Sequence, residues 1–104
     1  MPFNGSEGEQ ISLQEAQNLT FNHQKNNPNS TIATFIGKNL IHKILDQKEC
    51  MGIRIYYGQE NDGEKRLVLV GAKADENDIT EGVIADRGGN CPPFCDRTSL
   101  LKQK

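Results

Sequence analysis

The chain reads as an α+β domain: two helices packed on a three- to four-stranded, mostly antiparallel sheet joined as a meander. Three observations predict this. Leu40, Ile41, Ile44 and Leu45 recur at helical spacing. Ile53, Ile55 and Tyr57 alternate with Arg54 and Tyr56, the two-residue period of a strand. Asn61-Asp62-Gly63 then stands ahead of a second apolar run, Leu67-Val68-Leu69-Val70, which is the pattern of a hairpin.

Taken in order, residues 1–10 are rich in Gly and Glu and read as a loose leader, with residues 11–104 as one small domain. Ser12 and Glu15 have the spacing of a capping box, where each side chain satisfies a backbone N–H at a helix start. Leu13, Ala16, Thr20 and His23 then share one face of a first helix at about 13–25, a thin apolar stripe. Asn26-Asn27-Pro28-Asn29-Ser30 stops it, because proline cannot continue a helix and Asn favours turns. Thr31 to Ile36 is β-branched and reads as a short strand, or as a lead into the second helix at about 38–48.

Gly52 to Tyr57 forms a strand with a buried and a wetter side. The linker Gly58 to Glu64 holds the turn, since Gly and Asx accept positive φ. The run Leu67 to Val70 is apolar on both faces and is expected to be the central strand. Asp75 to Asp78 reads as a solvated polar turn and Val83-Ile84-Ala85 as a third strand. Arg87-Gly88-Gly89-Asn90 reads as a break before the tail.

A chain of 104 residues has room for one core, and 35% hydrophobic against 25% charged residues is globular rather than disordered composition. A net charge of −2, with basic residues only in short clusters such as Lys65-Arg66, argues against non-specific nucleic-acid binding. No run approaches the ~18 apolar residues of a membrane helix. The first residues lack a basic segment followed by an apolar stretch, so a cytoplasmic address, with reduced thiols, is the expectation.

Chemistry is suggested only by three cysteines: Cys50, and the pair in Cys91-Pro92-Pro93-Phe94-Cys95. The pair's spacing is not that of a thioredoxin-like C-x-x-C motif. It permits a disulfide, and it falls within zinc-ligand spacing, but a structural zinc site needs four ligands. His23 and His42 are the other candidates. His42 points away from the stripe of its helix, and His23 on the inner stripe reads as a packing residue. The favoured reading is that the cysteines act as small hydrophobes and the motif anchors the tail to the core. Asp75 to Asp78 lacks the glycine and third acid of a calcium loop, and no serine stands in a nucleophile elbow.

Two resemblances are carried by these residues. A helix leading into Gly52-Ile53-Arg54-Ile55, with one mid-chain and two C-terminal cysteines, resembles the A-type iron–sulfur carriers. That resemblance implies a cluster bound or handed on by Cys50, Cys91 and Cys95, and zinc at the same residues is the other metal expectation. The family's terminal pair is C-x-C and its mid-chain cysteine follows the strand, whereas Cys50 precedes it. The stretch from Gly37 through the Cys91–Cys95 motif, including Gly52-Ile53-Arg54-Ile55-Tyr56-Tyr57-Gly58, also resembles small bacterial proteins of no stated activity.

Arg54 and Tyr56 are the candidate interaction residues. They share the face opposite Ile53 and Ile55, and both types are enriched at interface hot spots. That face is expected either to meet a partner or to lie under the N-terminal segment. The functional expectation is a non-enzymatic domain without a cofactor. It would act through contact with a protein partner or with itself as a homodimer joined along a sheet face or edge. The rival expectation is the three-cysteine carrier, and a small-molecule pocket between helices and sheet is a third.

Overall fold

The computed structural model describes residues 2–102. Two helices and five strands are present among them, an α+β fold whose strands pair antiparallel in two sheets.

Helix α1 runs Leu13–Asn26. It starts where the capping box expects, with Ser12 Oγ accepting from the Glu15 backbone N–H at 3.1 Å. It buries none of its residues. Its polar stripe of Gln17, Thr20 and Gln24 instead holds the chain's C-terminal end, donating to the carbonyls of Leu100 and Leu101 at 2.9 to 3.0 Å.

Strand β1 is Ala33–Phe35, and α2 follows at Lys38–Leu45. The second helix ends three residues before the expected boundary because the chain must reverse into the hairpin. Glu49 takes the left-handed φ of 66° needed for that reversal. Gln47, just past the helix, donates to the Ile44 carbonyl at 2.9 Å and accepts from the Val83 N–H at 2.7 Å. One side chain thereby closes the helix and tethers it to Val83, far along the chain.

Strands β2 (Cys50–Gln59) and β3 (Lys65–Lys73) form the hairpin, with Ile53 opposite Gly71, Ile55 opposite Leu69 and Tyr57 opposite Leu67. A bulge at Met51 shifts the register between Cys50 and Gly52. The turn is closed by the Glu60 N–H on the Glu64 carbonyl at 2.8 Å, and Gly63 supplies the positive φ of 94°. Strand β4 (Ile84–Ala85) pairs with the other edge of β3, so β3 is the central strand, as its apolar run predicts.

The segment 87–90 departs from expectation. Gly89–Cys91 is a strand, β5, paired with β1 so that Ala33 faces Cys91 and Phe35 faces Gly89. The glycines disguise it in the sequence, and the structure gives one of them a reason. A Cβ on Gly88 would lie 2.0 Å from the Phe35 carbonyl oxygen, so the two strands approach only because that side chain is missing. Asn90 joins this sheet to the hairpin. It is buried, its amide donates to Glu64 Oε1 at 3.0 Å and to the Lys65 carbonyl at 3.1 Å, and its oxygen accepts from Thr34 Oγ1 at 2.8 Å.

The core is small and lies under α2. Ile44 is 0% exposed and packs with Leu69 and Ala85, flanked by Ile36, Ile53, Leu67, Val83 and Cys50. The expected buried side of β2 is therefore dry only near Ile53. Further along the same face, Ile55 is 51% and Tyr57 93% exposed.

Candidate functional site

Arg54 and Tyr56 lie on the face of the hairpin opposite the α2 core, as alternation requires. Neither helix covers them. They converge on Asp78, a residue that reads in the sequence as part of a solvated turn. Asp78 forms an isolated bridge with Ala72 on the far edge of β3, and its carboxylate reaches back across that small residue. Arg54 Nη1 meets Asp78 Oδ1 at 2.5 Å and donates also to the Glu76 carbonyl at 3.0 Å. The Tyr56 hydroxyl donates to Asp78 Oδ2.

These contacts set the protonation states. The Tyr56 hydrogen bond, aided by Arg54, holds the Asp78 carboxyl below the ordinary carboxylate range against the opposing effect of burial. The same bond raises the Tyr56 phenol, and Asp78 raises the Arg54 guanidinium further. A guanidinium, a neutral phenol and a carboxylate thus coexist as a closed network at neutral pH. Arg54 Nη1 and the Tyr56 hydroxyl each have an acceptor, so the cluster braces the sheet rather than presenting a poised acid or base.

The N-terminal segment also reaches this face. The Phe3 N–H donates to the Ala74 carbonyl at 2.8 Å, and the Arg54 guanidinium lies 5.4 Å from the centre of the Phe3 ring, a cation–π contact. Gly5 lies beside the Met51 carbonyl. Arg54 is accordingly engaged on both sides, while Tyr56 keeps 47% of its surface open. No pattern in the sequence pairs Asp78 or Phe3 with Arg54; both contacts depend on chain reversals tens of residues away.

The three cysteines fall into two places. Cys91 and Cys95 form a disulfide with a Cα–Cα distance of 4.8 Å, Cys91 being buried at the end of β5. Cys50 begins β2 on the other sheet, half-buried, with its thiol donating to the Gly52 carbonyl at 3.2 Å. A disulfide sulfur is not the thiolate that a metal or cluster takes as ligand. Among the described residues no group of three or more His, Cys, Asp or Glu side chains is gathered as a metal site would need. His42 is exposed, and His23 is exposed on the side of α1 that faces a groove.

Comparison with protein-family models, curated proteins and solved structures finds no match for this chain.

Two of the open surfaces among the described residues suit a partner. The first is the outer edge of β2 beyond Arg54: the hairpin sheet has the order β2-β3-β4, so that side of the strand has no strand partner, while Phe3, Gly5 and Glu7 lie beside its start at Met51 to Arg54. Exposed Ile55, Tyr56 and Tyr57 stand along it. The second is a groove of about 630 Å³ between α1, β1 and the turn end of the hairpin. Among the described residues no helix is long and apolar enough to cross a membrane.

Proposed function

We propose that this chain is a non-enzymatic protein-contact domain and that its first partner is a second copy of itself, joined along β2. The observation that carries the reading is the unprotected edge. Exposed edge strands are normally blunted by Lys, Pro, bulges or inward-pointing charges, because a free row of N–H and C=O groups templates further pairing. From Ile53 to Gln59 this strand has no Pro, no Lys and no bulge, and its one charge, Arg54, is already matched by Asp78.

Self-pairing of β2 has a preferred register. Joining two copies antiparallel about a two-fold axis must keep like faces together, so a residue's partner stays on the same face. With Ile55 on the axis, Arg54 faces Tyr56 of the second copy and Ile53 faces Tyr57 of the second copy. Aromatic–β-branched and cation–aromatic pairs are favourable cross-strand neighbours. With Arg54 on the axis instead, two guanidinium groups would oppose each other, which is destabilising. The favoured register joins two three-stranded sheets into one of six strands. It also sets Ile55, which the chain's own helices leave open, beside its counterpart in the second copy.

Sedimentation equilibrium on the full chain tests this. The expected result is a dimer, converted to monomer by Ile55→Lys with an unchanged circular-dichroism spectrum. A monomeric wild-type chain at ~0.1 mM, a concentration well above typical contact affinities, sinks the reading. So does an Ile55→Lys chain that remains dimeric.

A further inference from the structure

The groove offers a different kind of site. Its walls are α1, β1 and the turn end of the hairpin, and its volume of about 630 Å³ is that of a site for one small molecule rather than for a folded partner. The apolar part of the lining comes from Leu19, Ile32, Ala33 and Leu67. Leu19 is exposed, and α1 buries nothing of its own, because the helix is held in place by polar bonds to Leu100 and Leu101. The chain therefore builds an apolar concavity outside its core.

The charged part of the lining is one-sided. The chain as a whole has 14 acidic and 12 basic residues, yet the groove is lined by Lys65 and Arg66 and by no Asp or Glu. Arg66 is committed elsewhere, to Glu60 at 3.2 Å and Glu64 at 4.0 Å. Lys65 has no ion pair among the described residues, and neither the His23 imidazole nor the Thr31 hydroxyl has a hydrogen-bond partner among them. Lys65 lies on the same hairpin face as Leu67 and Tyr57, since alternate residues share a face, so its ammonium adjoins the apolar wall.

We infer that this groove binds a small organic carboxylate with an apolar body, the chain or ring lying along Leu19, Ile32 and Leu67 and the carboxylate meeting Lys65. An amine would face Lys65 with like charge. A neutral analogue would fill the apolar wall but forgo the charge-assisted hydrogen bond, which is roughly twice as strong as a neutral one. Thr31 and Tyr57, which also line the groove, carry hydroxyls for a second carboxylate oxygen.

Octanoate, octanol and octylamine serve as probes, titrated into the isotope-labelled full chain and followed by backbone amide shifts. Octanoate is expected to move the amides of Leu19, Ile32 and Leu67 and to bind about tenfold more tightly than octanol, with octylamine weaker still. Lys65→Gln, at an exposed position that the fold tolerates, is expected to bring octanoate down to the affinity of octanol while leaving octanol unchanged. The inference is overturned by equal affinity for octanoate and octanol, by an unaltered octanoate affinity in Lys65→Gln, by shifts confined to other parts of the chain, or by no binding of any probe at millimolar concentration.

Discussion

One face of the β2–β3 hairpin is dry at one end and open at the other. Near the start of β2 it carries Ile53 against Ile44 of α2, with Leu69 and Ala85 completing a core in which Ile44 has no exposed surface. Two residues further along, Ile55 is half-exposed, and Tyr57 beyond it is almost wholly so. The alternation of side chains is uninterrupted between the two ends. What changes is the cover: eight-residue α2 spans one end, and α1, which buries no residue, leaves a groove at the other. Stability therefore belongs to the α2 end, and the surfaces available for binding belong to the turn end.

Truncating the core residue tests where the stability lies. Ile44→Ala deletes a fully buried side chain and is expected to cost about 2–5 kcal/mol, read as the shift in a denaturant melt at constant slope. A cost under about 1 kcal/mol would mean that the α2 end is not where stability resides. The next largest effect concerns the second sheet. A disulfide closing so short a loop, with a sequence separation of 4, limits the unfolded chain by on the order of 2 kcal/mol. Replacing Cys91 and Cys95 together by Ser should lose about that much, and reductant should lower the wild-type chain by a similar amount while leaving the double variant unmoved. A wild-type melt that ignores reductant would show that the pair stays as thiols, as the cytoplasmic expectation has it.

Much of the fold is legible in the sequence because its signals are local. The Ser12 cap, the stripe through Ile44, the alternation in β2 and the turn at Asn61-Asp62-Gly63 each act within a few residues. Strand β5 is hidden because its requirement is non-local: Gly88 is needed for the approach of Phe35, more than fifty positions earlier in the chain. The same limit hides the site. Arg54 and Tyr56 can be placed on one face by counting, but that Asp78 closes the network follows from how the chain returns along the far edge of β3. The exposed half of the hairpin face is likewise invisible to periodicity, which reports which residues share a face and not what covers them. The groove is a consequence of the same gap.

A smaller effect tests the wetter face. Asp78 has its carboxyl lowered in the folded chain, so its contribution is complete above the ordinary carboxylate value of ~4 and is lost as pH falls through the lowered one. Tyr56 has its phenol raised, so its contribution is complete below ~10 and is lost as pH rises through the raised value. Asp78→Asn should therefore be less stable than wild type at neutral pH, with the gap closing in acid. Tyr56→Phe should remove the alkaline limb assigned to the phenol. Melts across the pH range check both, and a gap for Asp78→Asn that persists unchanged into strong acid would rule out the ionised network.

The smallest stability effect is expected at Leu19, and it separates the two ends most cleanly. This leucine belongs to a helix that buries no residue and it packs in no part of the core, so Leu19→Ala should move the melt by no more than ~0.5 kcal/mol. Yet it lines the groove, and an apolar body lying there would lose contact when the side chain is cut back. Octanoate and octanol affinities should then fall together, unlike in Lys65→Gln, because the lost contact is with the apolar part that both probes share. A Leu19→Ala chain that melts several kcal/mol lower would place α1 inside the cooperative core. It would also end the division between a stabilising end and an open one.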